Sequence, residues 1–443
     1  MSLAVAGWWP PSTVPCMVSY RQPGTVLTEH TFTVPLDHAR PGGDQIQLFA
    51  REVVAADKAA DDLPWLLFLQ GGPGFGSPRP VGRETWLDRA LNDYRVLLLD
   101  QRGTGRSTPA SRRTLTRLGG ASAQAEYLSL FRADAIVADA ELIRGQVAAG
   151  RPWSVLGQSF GGFCTVSYLS LAPEGIREAL ITGGLPGLDA SADDVYRATY
   201  PLVARKNSEH YARYPQDVER ARDIARRLAA GETRLPSGVP LTVEAFQSLG
   251  QMLGASTGTH MLHYLLENAF AADELSDEFL YQAESRLTFS SGPLYALVHE
   301  ACYAQGSATG WAAQRVRAEF PEFDAGAALD GDGQLLFTGE MIYPWMFEND
   351  PVLAPLAEAA EILARRGAWP PLYYADRLRG NDVPAAAAVY ADDMYVPLEF
   401  SVPTARAIRG LRPWITNEYE HDGLRVSNGQ VLDRLIAMVR GNA

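Results

Sequence analysis

The order of apolar and polar positions divides the chain into stretches of different character. Thr31-Phe32-Thr33-Val34 and residues 45–53 alternate with period two, as half-exposed strands do, and the turn-rich segment 35–43 between them predicts an antiparallel hairpin. Trp65-Leu66-Leu67-Phe68-Leu69, Val96-Leu97-Leu98-Leu99, the run ending at Leu156 and Ala179-Leu180-Ile181-Thr182 are instead continuous apolar runs, the form taken by strands buried on both faces. Helical patterns lie between them, at about 83–92, at 133–147 with Ile136, Ala140, Ile143 and Val147 on one face, and at 163–171, where Pro173 stops the helix. Strands alternating with helices predict a mostly parallel sheet with helices on both faces, its turns at the strand C-termini gathered along one edge.

The alternation breaks after Gly187. Segments 192–205, 216–230, 243–253, 261–268, 294–304 and 355–366 are all of helical composition. Strand signals return at 385–390 and 413–420, and a helix at 430–440 closes the chain. The expected organisation is an α/β core built from residues 1–187 and 370–443, interrupted by a helical insertion over 188–369.

Composition narrows the function. A net charge of -13 over 443 residues leaves no basic excess for neutralising phosphates, which excludes a nucleic-acid partner. The segment 1–11 lacks a basic leader and is too short in its apolar part for a signal peptide, and no apolar stretch reaches membrane-spanning length. Cys16, Cys164 and Cys302 are odd in number and far apart, so neither a disulfide framework nor a zinc cluster is indicated and a cytoplasmic location is expected. Gly72-Pro73-Gly74-Phe75-Gly76 has no phosphate-loop lysine, and His299-Glu300 is followed by Tyr at 303 where a zinc-protease motif needs His. No metal and no cofactor are expected.

The chemistry centres on Gly157-Gln158-Ser159-Phe160-Gly161. A glycine-flanked serine between a buried strand and a helix is the pattern of a sharp turn that lifts the hydroxyl out of a sheet as a nucleophile. Such a serine needs a base, an orienter for the base and donors for an oxyanion. In sheets of this type the partners follow in the order acid, then histidine, each after a later strand. The strand at 385–390 runs into Asp392-Asp393; Asp393, deeper in the loop, is preferred as the acid, with Asp392 as the alternative. The last strand runs into His421, the last of seven histidines and the one that follows the acid. Gln70-Gly71-Gly72-Pro73-Gly74, directly after a buried strand, lets the main chain approach a reacting carbonyl. An amide of Gly71 or Gly72 together with that of Phe160 forms the expected oxyanion hole.

Taken together, Gln70-Gly71-Gly72-Pro73-Gly74, Asp100-Gln101-Arg102-Gly103-Thr104-Gly105-Arg106-Ser107, Gly157 to Gly162 and the Asp393/His421 pair resemble the proline iminopeptidase (prolyl aminopeptidase) family of α/β-hydrolase serine peptidases. Gln70 departs from the histidine that better-known members carry before the two glycines. The resemblance implies an α/β-hydrolase core with an inserted helical cap. It also implies a cofactor-free serine aminopeptidase that releases N-terminal proline, or another small residue, from short peptides with a free amine. A carboxylate must then meet the substrate ammonium in a closed pocket. Glu300, similar to the family's Glu-x-x-Tyr helix, is the first candidate and Glu340 the second, with Tyr303, Tyr343, Trp345 and Phe347 as candidate walls. Two other readings fit the core motifs: a carboxylesterase or amidase of the same fold acting on uncharged small molecules, and a binding protein without catalysis.

Overall fold

The computed structural model describes residues 18–83, 85–231 and 233–442. The leader reading of segment 1–11, and Cys16, fall outside them. The central sheet has nine strands: β1 (Val18–Gln22), β2 (Thr25–Pro35), β3 (Gln45–Ala55), β4 (Trp65–Leu69), β5 (Arg95–Asp100), β6 (Trp153–Gln158), β7 (Ile176–Thr182), and two that follow a long helical segment. That segment contains the short ladder of β8 (Phe270–Ala271) with β9 (Glu274–Leu275), and the sheet is completed by β10 (Ala385–Tyr390) and β11 (Leu411–Thr416). The spatial order is β1-β2-β3-β5-β4-β6-β7-β10-β11. The first three strands pair antiparallel and β3 joins β5 antiparallel; every pairing from β5 to β11 is parallel. This is an α/β-hydrolase fold.

The continuous apolar runs are explained by burial on both faces. Along β4, Leu67 and Leu69 enter one core and Leu66 and Phe68 the other; Ala385 and Ala387 of β10 alternate in the same way with Ala386 and Ala388. The helices Ala133–Val147 and Phe160–Leu171 cover the first face, and Thr85–Ala90 and Gln430–Val439 cover the second. Where strands are sandwiched like this, side chains on both sides must be apolar, and period-two alternation disappears.

Between β7 and β10 the chain is mainly helical, with Ala192–Arg213 and Asp217–Ala229 its longest elements. Two expected helices are broken. The stretch predicted at 243–253 is a helix over Val243–Gln247 and then a 3-10 segment, Ser248–Gly254, in which Gly250 and Gly254 pack against Phe337 and Tyr395. The stretch at 294–304 is a helix over Pro293–Val298 followed by a 3-10 turn, Glu300–Cys302. Of the helices of this segment that the sequence did not predict, Asp277–Leu287 is the longest; Ser276 caps it by accepting a bond from the amide of Phe279. Among the described residues, no helix is long and apolar enough to cross a membrane.

The glycines of the serine turn have a steric reason. A Cβ at Gly161 would lie on the carbonyl oxygen of Leu69, so the helix after β6 reaches β4 only because residue 161 has no side chain. We expect Gly161→Ala to remove most soluble, cooperatively melting protein. Gly145→Ala, at an exposed helical position with nothing within 4 Å, should stabilise by up to about 1 kcal/mol. Paired thermal melts check this, and an unchanged melt for Gly161→Ala would remove the steric argument.

Candidate functional site

Ser159 stands between the last residue of β6 and the first of the helix Phe160–Leu171, with φ 57° and ψ -124°. A non-glycine residue at positive φ is costly and persists only where its surroundings over-determine it. Here they do. The Ser159 amide donates to the carbonyl of Thr182 at 3.0 Å, and its carbonyl accepts from Gly162 at 2.7 Å. The preceding side chain, Gln158, donates through Nε2 to the carbonyl of His421 at 3.1 Å, which ties the serine turn directly to the histidine loop.

His421 and Asp393 meet at their side chains. Nδ1 of His421 lies 2.6 Å from Oδ2 of Asp393, and both residues are buried. The other carboxylate oxygen of Asp393 accepts from the amides of Tyr395 at 2.8 Å and Val396 at 3.0 Å. Asp393 is therefore fixed on both oxygens. Asp392, one residue earlier, points away to an exposed ion pair with Arg205 at 2.8 Å. Burial disfavours a charged His421 imidazole, but the charge and hydrogen bond of Asp393, helped by Glu340, outweigh it and hold its pKa above the ordinary value. A histidine held in this way suits accepting a proton at the nitrogen that Asp393 does not occupy.

The Gly71 turn lies over the serine. A Cβ at Gly71 would sit 2.8 Å from Cβ of Ser159 and 3.4 Å from its Oγ, so the glycine backbone occupies the space directly above the hydroxyl. The following peptide, Gly72-Pro73, is cis. The loop is clasped at both ends by the Asp-Gln-Arg motif after β5. Gln101 donates from Nε2 to the carbonyl of Gln70 at 3.1 Å. The fully buried Asp100 accepts from the Ser77 amide at 2.9 Å and from the Arg79 guanidinium at 2.8 and 2.6 Å. Arg102 anchors the motif from below, pairing with Asp139 at 2.7 and 2.6 Å and donating to the carbonyls of Leu36 and Leu130. The Asp100-Gln101-Arg102 motif thus holds the loop that approaches Ser159.

The two candidate glutamates have different surroundings. Glu300 is buried, and its Oε1 accepts from the amide of Ala313 at 3.0 Å, at the start of the helix Ala312–Arg317. Burial raises its pKa, opposed by the amides of Ala313 and Ala312 and the hydroxyl of Thr309. Its oxygens serve a helix N-terminus. Glu340 lies near His421 and Asp393, and its Oε1 accepts from the hydroxyl of Tyr295 at 2.9 Å. Burial pushes its pKa up to about 7 and the Asp393 charge adds to this, while His421 and the Tyr295 hydroxyl pull it down. Glu340 is half-buried, and a carboxylate with one hydroxyl donor in such surroundings favours a cationic partner.

The aromatic candidates also separate. Tyr303 makes edge contacts with Phe163, Tyr196 and His299 at ring separations of 6.1, 6.3 and 5.8 Å, which puts it beside the helix that begins at the serine. Trp345 lines a cavity of about 710 Å³. Phe75, Gln251 and Tyr295 line it as well, although Ser159 and His421 do not. Tyr343 instead belongs to the core of the helical segment, its hydroxyl 2.9 Å from that of Tyr200, and Phe347 is buried against Trp311.

Three residues around the site were not singled out from the sequence. Tyr395 donates from its hydroxyl to the carbonyl of Gln251 and sets its ring against His421 at 4.8 Å. Gln251 donates from Nε2 to the hydroxyl of Tyr295 at 3.1 Å, and Tyr295 donates in turn to Glu340. These three lie in different segments whose meeting is a product of tertiary folding. The one local signal was the tyrosine two residues after Asp393.

Residues 64–422 match the family model for the alpha/beta hydrolase fold. A proline iminopeptidase of Aeromonas sobria is 51% identical over 412 residues, which cover 93% of this chain and 96% of that protein. Proline iminopeptidase aneH of Aspergillus aculeatus is 36% identical over 434 residues, 95% of each chain. Similarity to a proline iminopeptidase of Neisseria gonorrhoeae is more local, 32% over 124 residues and 28% of this chain. With half of its residues shared across almost the full length of one such relative, and the hydrolase model spanning the serine turn and the histidine loop, the protein belongs to the proline iminopeptidase family of the α/β-hydrolase fold.

Proposed function

We propose that the protein is a serine aminopeptidase that releases proline, or another small residue, from the N-terminus of short peptides. The observation that carries this reading is Glu340, a half-buried carboxylate next to His421 and Asp393 that accepts from the Tyr295 hydroxyl. An esterase for uncharged substrates has no use for a half-buried anion there, whereas a substrate ammonium supplies a cationic partner. The names of the relatives support proline as the residue released.

In this reading Ser159 Oγ attacks the carbonyl of the first residue while His421 takes its proton. The tetrahedral oxyanion is received by the amides of Gly71 or Gly72 and of Phe160, each donor stabilising the transition state by about 3 kcal/mol. His421 then gives the proton to the departing amine, and water resolves the acyl-enzyme by the same steps. Asp393 holds the imidazole through Nδ1, so that Nε2 faces the serine. Glu340 takes the ammonium in preference to Glu300, whose oxygens already serve the Ala312–Arg317 helix. Trp345 borders the cavity, Tyr303 stands beside the serine helix, and Tyr343 and Phe347 belong to the interior of the helical segment. Residues 188–369 act as a cap that admits chain ends. The buried thiols of Cys164 and Cys302 suit a reducing cytoplasm.

The reading predicts that prolyl-arylamide is cleaved, with kcat/KM at least roughly 100-fold above its N-acetyl form and above a simple aryl ester of no amine. Equal or better turnover of the blocked amide or the ester would defeat it. Asp393→Asn should lower kcat by about 10⁴-fold, because the imidazole loses its orienting acceptor, while Asp392→Asn should stay within about twofold. Steady-state kinetics on the two variants decides between them. Activity also depends on pH in a defined direction. Glu340 must be ionised and His421 neutral, so kcat/KM should rise as pH increases through about 7. In Glu340→Gln the carboxylate that raises the His421 pKa is gone. The acid limb should then move to lower pH, and the preference for a free amine should collapse.

A further inference from the structure

Tyr295 was prominent in neither the sequence nor the reaction just described, yet it touches both halves of the site. It lies on the helix Pro293–Val298, almost wholly buried. Its hydroxyl accepts from Nε2 of Gln251 at 3.1 Å and lies 2.9 Å from Oε1 of Glu340. Because the Gln251 amide already donates to the phenol oxygen, the phenol proton is left to point at the carboxylate. The hydrogen bonds therefore run in one direction, from Gln251 to Tyr295 to Glu340. Gln251 is fixed in turn, since its carbonyl accepts from the Tyr395 hydroxyl and the Tyr395 amide donates to Asp393. On its other side the Tyr295 main chain closes on the turn after β4: a Cβ at Gly74 would lie 2.5 Å from its amide nitrogen. Its ring packs 5.2 Å from that of Phe75.

We propose that Tyr295 is the positioning residue for Glu340, holding the carboxylate as an ionised acceptor at a fixed distance from the Gly71–Gly74 turn, so that amine recognition and carbonyl polarisation share one rigid support. The proposal rests on the reading of Glu340 as the receptor for the substrate ammonium. A donor aimed at a carboxylate favours its charged form, so removing the hydroxyl raises the pH needed to ionise Glu340. The groups that face residue 340 are His421 and Asp393 from the core, Tyr295, His299, Tyr303 and Cys302 from the helical segment, and Tyr395 from the loop after β10, with His299 meeting its main chain. Of these, Tyr295 is the one whose hydroxyl bonds to the carboxylate.

The test is Tyr295→Phe in the full chain, assayed on prolyl-arylamide between about pH 5.5 and 9, with rates normalised to active enzyme titrated by an organophosphonate. The expected result is KM raised roughly fivefold or more near pH 7, kcat within about twofold, and the acid limb of kcat/KM displaced upward by about half a unit or more. The KM difference should close toward the alkaline end, where Glu340 ionises without help. A loss of rate that is uniform in pH, or an unchanged KM and limb, would overturn the proposal. Should Tyr295→Phe fail to fold, Gln251→Leu removes the donor that orients the phenol and must shift the limb in the same direction; no shift would count against the proposal equally. Glu340→Gln separates the two layers. If that variant keeps the preference for a free amine, the ammonium reading fails; if it loses the preference while Tyr295→Phe behaves as wild type, only the role of Tyr295 fails.

Discussion

The site depends on how closely two backbones can approach. The helix Phe160–Leu171 starts against the end of β4, and position 161 admits no side chain because the Leu69 carbonyl occupies the space. That approach forces Ser159 into positive φ, and the same end of β4 carries the turn whose Gly71 lies over the serine hydroxyl. Nucleophile and turn are thus positioned by one contact between neighbouring elements of a rigid parallel sheet, which is why the strain at Ser159 can be maintained. The Asp100-Gln101-Arg102 motif belongs to the next strand of that sheet and holds the turn from its two ends. These parts form a single mechanical unit.

A second unit lies opposite it and is electrostatic. Asp393 and His421 are buried and Glu340 is half-buried beside them, so two carboxylates and an imidazole share one poorly hydrated corner. Fixed donors support Asp393, whereas Glu340 has a single tyrosine hydroxyl and remains near the point of neutralisation. Two carboxylates beside one imidazole leave negative charge in excess, which under the proposed function a substrate ammonium would balance.

The core was legible because its constraints are local. Runs such as 65–69 and 96–99 are apolar at every position only when both faces are covered, and a glycine-flanked serine between strand and helix leaves little other geometry available. Position at strand ends was enough to nominate Asp393 and His421, although the 2.6 Å contact between them is a property of the folded chain. The helical segment was less readable. Gly250 and Gly254 broke one of its expected helices for packing reasons invisible in composition. Glu300 and Glu340 look alike as sequence; what separates them is that one meets the amides of a helix start and the other meets the histidine loop. Tyr295, Gln251 and Tyr395 lie far apart along the chain and become neighbours only after folding.

The central claim is that Ser159 attacks a carbonyl whose α-amine is held by the enzyme. The most direct measurement is labelling by a diaryl phosphonate analogue of proline, with the adduct located by peptide mass spectrometry, alongside the N-acetylated form of the same reagent. Ser159 alone should be modified, at a rate at least roughly tenfold greater for the free amine. Modification at another residue, or equal rates for the free and blocked reagents, would contradict it.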